Sequence, residues 1–228
     1  MKYAYRDLRA RTTWPCRLLY VLAALDVASL FSNHFERGVL RRIADMTAEN
    51  VESVQAAAAR SDYWQKLIAF PQLGLVALTF VLAGMWIYRA ATNIRALGAE
   101  GLEITPGWSV GWYFVPFANL VKPFQAMNEI WRASQDPHHW ERLSTPLELR
   151  VWWSLWLAAG VLGNITMRMA LNTDKVDELL TLNTIKTVSD LVSLPLDLLF
   201  AHVLVRVADL QASLPAPVPA PPALPEPA

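Results

Sequence analysis

Apolar and polar positions are unevenly spread along the chain: four stretches are almost continuously apolar, and the segments between them carry most of the charge. They fall at about residues 18–35, 67–88, 151–171 and 188–205. A helix of about 20 apolar residues, rising about 1.5 Å per residue, crosses a hydrocarbon layer of about 30 Å. The stretch 67–88 meets this requirement with no charged residue before its end. The others contain polar groups: Asp26 in the first, Asn164 and Arg168 in the third, and Asp190, Pro195, Asp197 and His202 in the fourth. Their apolar background still predicts spans. The first stretch follows a basic start (Lys2, Arg6, Arg9, Arg11, Arg17), as a signal peptide would. Val27-Ala28-Ser29 offers only a poor cleavage site and further spans follow, so a retained signal anchor is the expectation and cleavage the alternative.

The segments between the spans have patterns of their own. Val39, Leu40, Ile43, Met46, Asn50, Val51, Val54 and Ala58 recur at three-to-four spacing without glycine or proline, which predicts one helix with an apolar stripe packed on a neighbour. Residues 174–184, beginning at Asp174, place acids in the first turn of a helix leading into the fourth span. The expected fold class is therefore all-α: about four transmembrane helices in two hairpins with helical outer extensions. Residues 1–17 form a basic N-terminus and 18–211 the polytopic membrane domain. Residues 212–228 alternate proline with small apolar residues, a composition without a core that predicts an extended, solvated tail.

The segment 107–134, between the second and third spans, is rich in tryptophan. Trp108, Trp112 and Val115 fall on one helical face, Pro116 ends or kinks that helix, and Pro123 suits the first turn of another. The second helix has an apolar stripe of Phe124, Met127, Ile130 and Trp131, with Lys122, Gln125, Asn128, Glu129 and Arg132 on its polar side. Tryptophan favours the headgroup level, so the expectation is an amphipathic, Trp-rich helix pair lying in the membrane interface. A re-entrant loop is the alternative, and it requires protein or water to satisfy the backbone freed at Pro116. Asn119 is expected to supply a side-chain hydrogen bond at that corner.

Composition supports a bilayer as solvent: 54% of the 228 residues are hydrophobic and only 18% charged. Twenty basic residues balance twenty acidic ones, so no overall field would draw the chain to nucleic acid. With the N-terminus inside, twelve basic residues fall in inner segments and eight in outer ones, which predicts both termini in the cytoplasm. A single cysteine, Cys16, excludes an intrachain disulfide and is expected to be inert.

The run from Trp86-Ile87-Tyr88-Arg89 through Asn93 and Gly98, then Gly107-Trp108, Gly111-Trp112, Pro116, Asn119-Leu120, Pro123 and Glu129-Ile130-Trp131, resembles the bacterial membrane family called domain of unknown function 4328. The Trp152-Trp153 pair also matches its pattern. The resemblance implies a multi-pass protein of a bacterial cell membrane with no assigned biochemical role. It carries over motif positions, namely Arg89, Asn93, Gly107, Trp108, Gly111, Trp112, Pro116, Asn119, Pro123, Glu129 and Trp131, and no catalytic residues.

Candidate chemistry is confined to the spans. Asp26, Asp190 and Asp197 stand where an ionised carboxylate is costly and faces a cavity or a partner, and Asp190 and Asp197 share a helical face. Together with Asn164 and His202 they are the intramembrane polar candidates. They point either to a proton or cation path or to neutral acids hydrogen-bonded between helices, with Arg168 as another partner. Asp136, His138 and His139 form a loop too poor in ligands for a metal shell, and no cofactor, nucleotide or hydrolase motif occurs. Gly107 and Gly111 suggest close packing within this chain, and Ala159 and Gly163 close helix contact. The expectation is a non-enzymatic scaffold, sensor or accessory module whose partners are membrane lipid and a membrane protein or second copy. A small oligomeric transporter or channel is the alternative.

Overall fold

The computed structural model describes residues 3–173 and 175–215. Lys2, Asp174 and the tail from 216 onward, each part of an expectation above, lie outside the described residues. The chain forms α1 (Arg9–Ala44), α2 (Val51–Ala96), α3 (Trp108–Gly111), α4 (Lys122–Gln135), α5 (Leu147–Asn172) and α6 (Val176–Ser213). No strand occurs among the described residues. Helices α1, α2, α5 and α6 are each long and apolar enough to cross a membrane, and each contains one of the expected spans.

Helix ends follow from local chemistry. Asp7 accepts the Arg9 N–H at 2.9 Å where α1 starts. The apolar stripe over 39–58 does not form one helix, because the chain turns between α1 and α2. There Asn50 accepts the Thr47 N–H at 2.8 Å through its side chain and the Val54 N–H at 3.0 Å through its carbonyl, starting a new helix. Leu40 and Val54, on opposite sides of the break, are both buried, so the stripe is shared between two helices. α2 ends in a Schellman motif: Gly98 has φ +92° and donates to Arg95, and Ala99 donates to Ile94. Pro15, Pro71 and Pro195 lie inside helices.

By contacts the chain divides into two compact units, to each of which α1, α2 and α6 contribute. Among the described residues the first comprises 3–13, 83–149 and 204–215. Its core is formed by Leu8, Trp86, Ala90, Ile94, Met127, Ile130, Leu204 and Val207, and it holds α3, α4 and the segments nearest both chain ends. The second comprises Trp14–Leu82 and Arg150–Val203. In it Trp152 stacks on Phe200 with ring centroids 5.0 Å apart, Trp153 on Trp156 at 4.5 Å, and the buried Cys16 thiol faces the Ala201 carbonyl.

Candidate functional site

The family-pattern residues from Trp86 to Trp131 fall in the first unit, and the Trp152-Trp153 pair in the second. Asn93, fully buried on α2, is its polar centre. Its side-chain NH2 donates to the Arg6 carbonyl at 2.8 Å and to Gln211 Oε1 at 2.9 Å, while its Oδ1 accepts the Arg6 N–H at 3.2 Å. Gln211, also fully buried, donates to the Ala90 carbonyl and to Ser134 Oγ. One asparagine and one glutamine thus tie the N-terminal arm, α2, α4 and α6 together, and Tyr5 adds a bond from its hydroxyl to the Gln211 carbonyl. Trp86 reinforces the arm through a 2.9 Å bond from Nε1 to Thr12.

Glu129 lies on the inner side of α4, not on a solvated polar face: it is 8% exposed, and its carboxylate accepts the Ile104 N–H at 3.3 Å. Arg95 donates to the Ile104 carbonyl at 2.5 Å, so both backbone groups of Ile104 are clamped and the connection from α2 to α3 is held down. Burial raises the Glu129 pKa above the ordinary carboxylate value, against the lowering effects of the Ile104 and Glu103 amides and of Arg95. Met127, Ile130 and Trp131 are likewise buried, so protein rather than lipid covers the α4 stripe. Pro123 occupies the first turn of α4, as expected.

The corner before α4 faces outward. Trp108 and Trp112 pack ring against ring at 4.5 Å, and a Cβ at Gly111 would stand 3.0 Å from the Trp108 ring, so Gly111 makes room for that pair. Gly107 has open space around it, and no close packing explains it. Helical structure stops before Pro116, and Phe117 then adopts φ +62°, ψ −42° at the centre of a γ-turn closed by the 2.7 Å bond from the Ala118 N–H to the Pro116 carbonyl. This hand of γ-turn is rare and strained. Main-chain groups close the corner themselves: the Asn119 N–H donates to Val115, Leu120 to Phe117 and Val121 to Ala118. The Asn119 side chain, half-exposed, has no hydrogen-bond partner among the described residues, so its expected role as the corner's bond is not what holds it. Phe114, Phe117, Leu120 and Val121 are exposed, Phe117 to 87%.

Arg89 is half-exposed, yet its Nε is buried without a partner among the described residues. Burial, then the Arg6 and Arg11 charges, lower its pKa. Asp136 accepts the His138 and His139 N–H groups and meets His139 Nδ1 at 3.1 Å, so its carboxylate serves the turn after α4.

The second unit gathers the intramembrane acids. Asp26 is buried, accepts a 2.8 Å bond from Gln72, and lies within electrostatic reach of Asp190 and Asp197. Its Oδ2 is buried with no hydrogen-bond partner among the described residues. Asp190 accepts from Asn33 at 2.7 Å. From there a polar chain continues through Gln65, Glu36, Asn183 and Lys186, with Lys186 Nζ 3.0 Å from both Glu36 and Gln65. Asn164 and His202 do not join this group: both are exposed, and Asn164 accepts from Arg168 at 2.8 Å on its own helix. Arg168 therefore pairs with Asn164 and with none of the three aspartates. Gly163 has nothing within 4 Å of a built Cβ, so the expected close contact there is not made within the unit.

Several of these buried or bonded side chains were invisible to motif reading. Gln211, Arg95 and Ile104 had no pattern to mark them. Asn33, Glu36, Gln65, Gln72, Asn183 and Lys186 were more legible, since Asp26 and Asn33, and Asn183, Asp190 and Asp197, stand seven apart on two helices. The family model described as Domain of unknown function (DUF4328) matches residues 49–209. No curated protein and no solved structure matches the chain.

Proposed function

The chain belongs to the DUF4328 family, and from that premise we propose that it is a non-enzymatic membrane scaffold, sensor or accessory module whose Trp-rich corner docks on the cytoplasmic membrane surface. The observation that carries this is the division of labour within residues 107–135. The α4 stripe is used up inside the unit, whereas Trp108, Phe114, Phe117, Leu120 and Val121 are exposed together on the corner. Aromatic and aliphatic side chains at a helix break, with basic Arg6, Arg11 and Arg89 in the same unit, suit the headgroup zone of an anionic leaflet. Tyr5 bonded to Gln211 puts the segments near both chain ends beside each other, which supports both termini on one side, and the excess of basic residues makes that side the cytoplasm. Spin labels at positions 114, 117 and 120 should report headgroup depth in liposomes, and labels at 127 and 131 should be immobile and shielded from both water and lipid. Free aqueous exposure at 114, 117 and 120 would overturn the proposal.

A second function is favoured by the convergence of Asp26, Asp190 and Asp197 and by the unpartnered Asp26 Oδ2. It is a small oligomeric proton or cation path through the second unit. Flux into liposomes that Asp197→Asn abolishes would establish it, and sealed liposomes under an imposed gradient would exclude it.

A further inference from the structure

The second unit carries a groove of about 870 Å³ between facing stripes of α1 and α2, at the end that holds their turn. Its walls are mostly apolar, with Phe31 and Phe35 from α1 and Trp64 from α2, all strongly exposed. Toward the turn it is lined by Arg42 and Arg60. Neither guanidinium forms an ion pair among the described residues, and Glu36 is taken by Lys186. A wall residue, Ser61, has a buried Oγ with no hydrogen-bond partner among the described residues. Phe31 and Phe35 belong to the apolar stretch of the first span, and Trp64 stands just before that of the second. Along the helix axis Arg42 is about 16 Å from Phe31, taking about 1.5 Å per residue. That is close to the depth of one leaflet, about half of a 30 Å hydrocarbon layer.

We propose that this groove is a binding site for an anionic phospholipid, the acyl chain lying along Phe31, Phe35 and Trp64 and the phosphate held by Arg42 and Arg60. The chemistry selects this occupant. An apolar trough ending in two unpaired guanidiniums complements a molecule with an apolar tail and one anionic head, and guanidinium forks match phosphate oxygens. A partner helix would fill the apolar part and leave both cations without counter-charge. Ordinary boundary lipid would fill it too, but without preference for the headgroup.

The test uses the full chain, purified and delipidated in detergent, with phosphatidylglycerol and phosphatidylcholine as probes and native mass spectrometry as the readout. Phosphatidylglycerol should be retained at least tenfold better than phosphatidylcholine. The pair Arg42→Gln and Arg60→Gln should erase that preference while leaving the thermal midpoint of the protein in detergent unchanged. Ala57→Trp, which fills the apolar wall and keeps both arginines, should weaken retention by a similar factor; it keeps the proposal testable if the arginine pair fails to fold. Equal retention of the two lipids, or a preference that survives the arginine changes, would show boundary lipid only and overturn the site. Competition by glycerol phosphate as strong as by phosphatidylglycerol would show a free-phosphate site and overturn the acyl-chain assignment.

Discussion

Replacing Asn93 by leucine removes the polar centre of the first unit while keeping the number and branching of its side-chain heavy atoms. Three hydrogen bonds disappear: two to the Arg6 main chain and one to Gln211 Oε1. Arg6 is exposed, so its N–H and carbonyl recover water, and each lost bond there costs only the net value of about 0.5–1.5 kcal/mol. Gln211 is fully buried, so its orphaned oxygen keeps the desolvation penalty of about 1–3 kcal/mol. The sum is about 2–6 kcal/mol by the same values, a large fraction of a typical domain stability. Unfolding by SDS in mixed micelles should report this loss, and hydrogen exchange should show the Arg6 amide unprotected while the four long helices stay protected. Gln211→Leu supplies a control with a sign. If the two side chains satisfy each other, the double variant is less damaged than the sum of the single ones, with a coupling of about 0.5–3 kcal/mol. A destabilisation under about 1 kcal/mol with the Arg6 amide still protected would refute the assignment of Asn93 as the tie.

Other consequences are open to similar measurement. Gly98→Ala puts a Cβ at φ +92° and 3.2 Å from His138 Cε1, and should lower stability by about 1–2 kcal/mol in the same unfolding assay. Phe117→Gly relieves the strained γ-turn, so it should raise stability by up to about 2 kcal/mol, yet weaken insertion of the corner as read by quenching of Trp108 with lipid-borne quenchers. Glu129 has a folded-state pKa raised by burial, so the unfolded chain ionises first as pH rises. Stability should therefore fall from the unfolded carboxylate value up to the raised folded one and level off above it. Glu129→Gln should abolish that slope and leave the protein at least as stable at neutral pH; a slope that survives the substitution would contradict the burial argument.

The long helices were legible because a bilayer imposes a length and an apolarity that any sequence must display. The α1–α2 turn was not: the apolar stripe passes through it unbroken, and only the capping chemistry of Asn50 marks the stop. On α4, periodicity correctly identified an amphipathic helix but could not say what covers its stripe. Glu129 was placed outside because it is charged, whereas the Ile104 N–H gives its carboxylate a partner inside, on a segment that Arg95 holds by the Ile104 carbonyl. Asn93 belonged to the recognised pattern, but its partners Arg6 and Gln211 lie beyond residues 49–209, where that pattern gives no guidance. A buried tie between distant segments has no local spacing, so nothing in the sequence could pair them.

The polar groups of the spans separate by how their needs are met. Asn164 and Arg168 are exposed on α5, but one turn apart they bond to each other, so the exposed pair needs no second helix. Gln72, Asn33, Gln65, Lys186 and the side-chain NH2 of Asn183 bond between helices, which holds α1, α2 and α6 in register as buried polar pairs can. Asp26 and Asn183 each keep one oxygen, Oδ2 and Oδ1, buried without a partner among the described residues, and of the two only Asp26 is an acid. A register device would be served as well by asparagine, since the bond from Gln72 needs only one acceptor oxygen. A carboxylate with a spare oxygen beside two other acids is useful where a proton is exchanged. Asp26→Asn therefore separates the two roles: unchanged stability with loss of liposome flux assigns the residue to a path, and unchanged stability in a protein that never conducts assigns it to packing.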